Sequence, residues 1–141
     1  VMTDASAMRD VALAVHAMLA DDNGIKTQLG DPPRLYDDVP ANPQYPYLTY
    51  GAARMRDVSA DGAKITEHVL TLHIWSRYQG RLEALDALSF VTGALETGDL
   101  DVTGREVVRV QTLYADVLRT TSHITLHGII RVRIITELET I

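Results

Sequence analysis

The stretch ITLHGIIRVRIITEL, residues 124–138, alternates with a period of two. Ile124, Leu126, Ile130, Val132, Ile134 and Leu138 share one side, while His127, Arg131, Arg133 and Glu137, with His123 just ahead of them, share the other. Successive side chains of a strand point to opposite faces, so this pattern predicts a strand with one core face and one polar face. Immediately upstream, Val107 to Val117 has the same β-rich character, and Arg119-Thr120-Thr121-Ser122 supplies a polar turn between the two. A second hairpin is predicted from Tyr47–Met55 and Ile65–Ser76, joined by Ser59-Ala60-Asp61-Gly62. In its second strand Leu70, Leu72 and Ile74 point one way, and Glu67, Val69, Thr71, His73 and Trp75 the other. The first set is expected in the core.

Two stretches carry helical spacing instead. Thr3 to Ala20 places Met8, Val11, Val15, Met18 and Leu19 on one stripe, with Thr3 as N-cap, Asp4 in the first turn and Asp22-Asn23-Gly24 as the stop. Gly80 to Glu96 does the same with Leu82, Leu85, Leu88, Val91 and Leu95, and Gly98 follows. Residues 30–46 hold Pro32, Pro33, Pro40 and Pro43, with Pro46 at the boundary, so they are expected to form an extended loop with a short strand at most around Arg34-Leu35-Tyr36. Tyr36, Tyr45 and Tyr47 would tether that loop to apolar surface. The predicted fold is a single α+β domain over residues 1–141, with a mainly antiparallel four-stranded sheet of two hairpins packed by two helices in two layers. One sheet face is left over, for the loop or a neighbouring subunit to cover.

Composition excludes several functions. The 141 residues include no cysteine, which removes disulfide scaffolds, thiolate zinc sites and thiol catalysis. No apolar run approaches the roughly eighteen residues that suggest a membrane span, and no export signal is visible, so a cytoplasmic start is expected. A formal charge of −6, with Lys26 and Lys64 the only lysines, disfavours wrapping nucleic acid.

The residue types of catalysis occur without the spacing that catalysis needs. On the strand reading His68 and His73 face opposite ways, His123 and His127 lie roughly 13 Å apart, and His16 has no partner one turn away, so no pair is expected to approach like metal ligands. Ser122-His123 with Asp116 lacks a strained nucleophile turn, which leaves Ser122 to turn chemistry. Asp21-Asp22 and Asp37-Asp38 read as solvated carboxylates, and no phosphate-binding glycine loop occurs. Arg105, Arg109, Arg119, Arg131 and Arg133 gather in the C-terminal hairpin, interspersed with Glu106, Asp116, Glu137 and Glu139, which favours a solvated or subunit-pairing face over an anion site. No cofactor, metal or enzymatic activity is expected.

The order of several segments is more informative than any of these absences. Arg34-Leu35-Tyr36-Asp37 with Val39-Pro40, Pro46-Tyr47-Leu48-Thr49-Tyr50-Gly51, Leu70-Thr71-Leu72-His73-Ile74-Trp75-Ser76, Gly80-Arg81-Leu82-Glu83-Ala84 and His127-Gly128-Ile129-Ile130-Arg131-Val132-Arg133 follow one another over about residues 10–137. That order resembles the tail terminator, or tail-completion, proteins of long-tailed phages and gene transfer agents. The resemblance implies a structural virion protein that caps the head-proximal end of the tail tube as a six-membered ring, stops tube polymerisation and offers a surface to the head-tail connector. It implies as partners further copies of itself, the tail tube protein and a connector or stopper protein, with DNA passing through the lumen without specific binding and no membrane. It also implies residence in the cytoplasm during assembly and at the head-tail neck of the particle afterwards.

Under this reading the contacts with neighbouring rings or subunits are expected at the first hairpin tip, Val58, Ser59, Ala60, Asp61 and Gly62, and at the second turn, Leu118, Arg119, Thr120 and Thr121, with Arg131 and Arg133 on the spare sheet face. Acidic groups near the lumen would let DNA pass unheld. The alternatives are another neck protein, such as a stopper or head-tail adaptor, and a small oligomeric α+β enzyme or ligand-binding domain with its pocket between helices and sheet.

Overall fold

The computed structural model describes residues 5–77, 80–122 and 124–139. Its elements are α1 (Ser6–Asp21), α2 (Asn23–Leu29), β1 (Leu35–Tyr36), β2 (Tyr47–Asp57), β3 (Ile65–Ser76), α3 (Leu82–Thr97), β4 (Arg105–Arg119) and β5 (Leu126–Leu138). The strands form one sheet in the order β1-β2-β3-β5-β4. All neighbours are antiparallel except β1 and β2, which run parallel and pair Leu35 with Leu48. The α+β class and both hairpins are as expected, but among the described residues the sheet has five strands rather than four, and there are three helices rather than two.

The additional helix begins within the residues that end the first, as expected, at Asp22. Asp22 ends α1 in extended conformation and then caps α2, its Oδ1 accepting from Ile25 N at 2.9 Å. Asp22 is therefore a capping residue rather than a merely solvated carboxylate. Gly24 does not take the left-handed position; it lies inside α2, where a Cβ would come within 2.6 Å of the Phe90 ring of α3. Gly30, with φ of 95°, ends α2 instead. The additional strand arises because Leu48 N bonds Arg34 O at 2.9 Å and Arg34 Nε reaches Pro46 O at 2.9 Å, which draws the start of the proline-rich segment beside β2. Tyr47, buried, gathers Tyr36 and Tyr45 with ring centroids at 5.7 and 5.0 Å, the expected tether. Burial, with Tyr45 beside it, pushes the Tyr47 phenol up to about 12. Thr3 and Asp4, proposed to start α1, lie outside the described residues.

The helices cover one sheet face. Leu70, Leu72 and Ile74 of β3 and Ile130, Val132 and Ile134 of β5 are buried against Val11, Val15 and Leu19 of α1, Ile25 and Leu29 of α2, and Leu88, Val91 and Leu95 of α3. At about 1.5–3 kcal/mol for each large aliphatic side chain, this cluster supplies the main driving force for folding. Four residues expected to be core are exposed. Ile124 precedes the first paired residue of β5, Leu138 is its last residue, and Leu82 and Leu85 occupy the first turns of α3 near the edge strand β4. Glycine matters most at Gly128, where a Cβ would sit 3.2 Å from both Ile74 Cβ and Leu88 Cδ2, so α3 rests on bare β5 backbone there.

Candidate assembly surfaces

The expected contact residues do not form one site. The β2–β3 tip lies at the end of the sheet where Ile65 faces Glu137, whereas the β4–β5 turn lies at the opposite end, where Ser76 faces Leu126. Arg131 and Arg133 lie on the sheet face between them.

The tip is built by local chemistry. Asp61 and Gly62 both have positive φ, 52° and 82°, and Ala60 and Ala63 bond each other across them, forming a tight two-residue hairpin turn. The Asp57 carboxylate accepts from Ser59 N at 2.9 Å and from Ser59 Oγ, which holds that carboxyl below the usual range. Ser59 Oγ accepts in turn from Ile65 N at 2.9 Å. Ser59, Ala60, Asp61 and Gly62 are exposed and Val58 is half-buried. At the other end, Thr120 N bonds Thr125 O at 3.0 Å and the Thr120 and Ser122 hydroxyls meet at 2.8 Å, so Ser122 does turn chemistry as expected. Leu118, Arg119 and Thr121 are exposed there. His123 lies outside the described residues.

The two side edges of the sheet differ. On one, β1 covers only the start of β2; on the other, all of β4 lies outermost. The pairing of β4 with β5 shifts register between Val107 and Arg109 and again between Thr112 and Tyr114. The extra residues, Val108 and Leu113, are 56% and 48% exposed, so each bulge turns an apolar side chain out along the edge. Beside it, Leu82 and Leu85 of α3 and Ala115 and Val117 of β4 line a groove. Glu96 of α3 accepts from Thr112 N at 2.7 Å, which satisfies a backbone donor at the second bulge and holds the Glu96 carboxyl low.

The face away from the helices carries two clusters invisible in single-strand spacing. Because β3 pairs with β5, His73 Nδ1 and His127 Nε2 meet at 2.7 Å, and His127 stacks on Trp75 at 4.0 Å between centroids. This corrects the expectation that no histidines approach: the strand reading compared residues within a strand, and the contact is between strands. Among the described residues no group of three metal-ligating side chains forms. Arg131 and Arg133 are joined by Arg54 and Arg56 of β2, which sequence reasoning had left out, around Glu67. The outward position of Glu67 was the available signal; the identity of its neighbours was not.

On the helix side, a cavity of about 400 Å³ opens between α1 and β2, lined by Arg9, His16, Asp37 and Tyr50 among others. Its His16 Nδ1 and Tyr50 hydroxyl bond each other at 2.8 Å, and burial raises the phenol further still. The two side chains thus satisfy each other's hydrogen bonding.

A search among curated proteins finds no match to the chain. Of solved structures, a chain in the virion of a native gene transfer agent particle matches with a TM-score of 0.83 at 21% identity, covering 95% of this chain and 99% of that one. The gp17 protein of bacteriophage SPP1 matches with a TM-score of 0.62 at 26% identity, covering 92% and 90%. The sequence itself matches the family described as tail completion protein gp17 over residues 13–137, nearly its whole length. The chain therefore belongs to the tail completion protein gp17 family.

Proposed function

We propose that this protein is the tail terminator of a phage or gene transfer agent: a non-enzymatic ring, of six copies, that caps the head-proximal end of the tail tube, stops its growth and receives the head-side connector. The observation that carries the reading is the unlike pair of sheet edges, β2 on one side and β4 with its turned-out Val108 and Leu113 on the other. A closed ring of identical subunits joins two different surfaces of each copy, and unlike edges supply them. The β2–β3 tip and the β4–β5 turn, exposed at opposite ends of the sheet, then serve the two faces of the ring, one toward the tube and one toward the connector. Occupying the last tube ring blocks recruitment of another, so the mechanism is steric and needs no turnover. Assembly takes place in the cytoplasm, and the ring stays at the neck of the particle.

The test is to remove the protein during particle assembly and image the products. Overlong or unjoined tails support termination. Tails of normal length that fail to join heads identify a stopper or adaptor instead, and normal tails on filled heads overturn both.

A further inference from the structure

The chain is acidic, yet the sheet face opposite the helices carries an arginine belt. Register places three successive rows side by side: Tyr114–Arg131–Thr71, Gln111–Arg133–Val69–Arg54 and Arg109–Ile135–Glu67–Arg56. Five guanidinium groups from three strands thus share these rows with one carboxylate, in an area about 13 Å along the strands and about 14 Å across. Glu67 lies 3.1 Å from Arg56 Nη2 and 2.7 Å from Arg133 Nε, the latter contact lacking the alignment of a hydrogen bond. One carboxylate cannot neutralise five cations. Arg131 is held over the Tyr114 ring at 5.6 Å, and a hollow of about 260 Å³ separates it from Arg54, with Thr71 and Val69 on its wall. The other carboxylates of this face, Asp116 at one margin and Glu106 and Glu137 at the other, lie outside the three rows.

We infer that this belt binds the phosphodiester backbone of duplex DNA. Guanidinium forks match phosphate oxygens, and arginines two residues apart on a strand repeat at about 6.6–6.8 Å, which suits successive phosphates. A protein partner is less well served, because interfaces are anchored by exposed aromatic and aliphatic groups, and within the three rows only Tyr114 is one, most of the others lying on α3 and elsewhere on β4. The choice of DNA among polyanions rests on the proposed position in the DNA path. Beside the acidic groups expected near the lumen, the belt then acts as a weak, sequence-independent brake on the passing duplex.

The experiment measures binding of the purified protein to a fluorescent mixed-sequence duplex by anisotropy, between about 50 and 200 mM salt, where each phosphate contact adds about 0.9 to the logarithmic salt slope. Arg54→Gln with Arg131→Gln is expected to lower the slope by about 1.8 and the affinity at the lowest salt about tenfold. Arg9→Gln with Arg81→Gln, equal in charge but exposed on the helix side, is expected to change affinity less than about twofold. Glu67→Gln frees two arginines and is expected to tighten binding. No binding by the unaltered protein, equal losses from both arginine pairs, or no gain from Glu67→Gln overturns the inference. So does a belt variant that binds DNA normally but no longer self-associates in sedimentation, which assigns the face to a neighbouring subunit. None of these outcomes alters the tail phenotype expected on removing the protein, so the two readings fail separately.

Discussion

The imidazole Nδ1 of His73 and Nε2 of His127 meet at 2.7 Å across the β3–β5 pairing. Partial burial lowers the pKa of both rings, for His127 with the neighbouring His73 adding to it, and burial with Arg105 nearby lowers that of His68. A histidine with a depressed folded pKa binds fewer protons folded than unfolded. Stability is therefore complete above the unfolded value of about 6.5 and is lost as pH falls below it, until the folded groups titrate. Denaturant midpoints should decline from about pH 7 to about pH 5, and His73→Gln with His127→Gln should flatten that decline. An unchanged pH profile in the double variant would remove the pair as its source.

Gly51 backs this cluster, since a Cβ there would come within 2.5 Å of His73 Nε2 and 3.1 Å of Thr71 O. Gly51→Ala should displace His73, break its bond to His127 and change the emission of Trp75, whose indole N–H donates to Thr49 Oγ1 at 3.0 Å. Fluorescence of the folded variant checks this; an unshifted spectrum would mean that the backbone yields instead.

Leu72 is 1% exposed at the centre of the helix-facing sheet surface. Leu72→Ala should destabilise the fold by about 2–5 kcal/mol through lost burial and the cavity left behind. A change below about 0.5 kcal/mol in denaturant melts would reverse the assigned facing.

Leu113→Lys acts on a bulge residue that is turned outward, so the melt should move by no more than about 0.5 kcal/mol. Particle assembly with this variant should nonetheless yield overlong or unjoined tails. Normal particles would remove the β4 edge from the ring contact.

Two histidines make an incomplete ligand set, since structural zinc takes four ligands. Elemental analysis of untagged protein should find well under one zinc per chain. Stoichiometric zinc that disappears in His73→Gln would revive an enzymatic reading.

What the sequence by itself determined is what depends on neighbours along the chain. Period-two alternation in residues 126–138 and 65–76 follows from strand geometry, and Asp61-Gly62 from the need for positive φ, so both hairpins and the buried side of the sheet were legible. Asp22-Asn23-Gly24 was ambiguous because the same residues end one helix and start another, and only the close approach of Gly24 to Phe90 decided between them. The family was legible through the order of segments. Which strand of one hairpin lies beside which of the other was not, because a core-facing pattern is satisfied by any neighbour with an apolar face. Only the tertiary pairing of β3 with β5 brought His73 to His127 and set Arg54 and Arg56 of the first hairpin near Arg131 and Arg133 of the second. Contacts between distant segments depend on the packing of the whole chain, and local spacing carries no record of them.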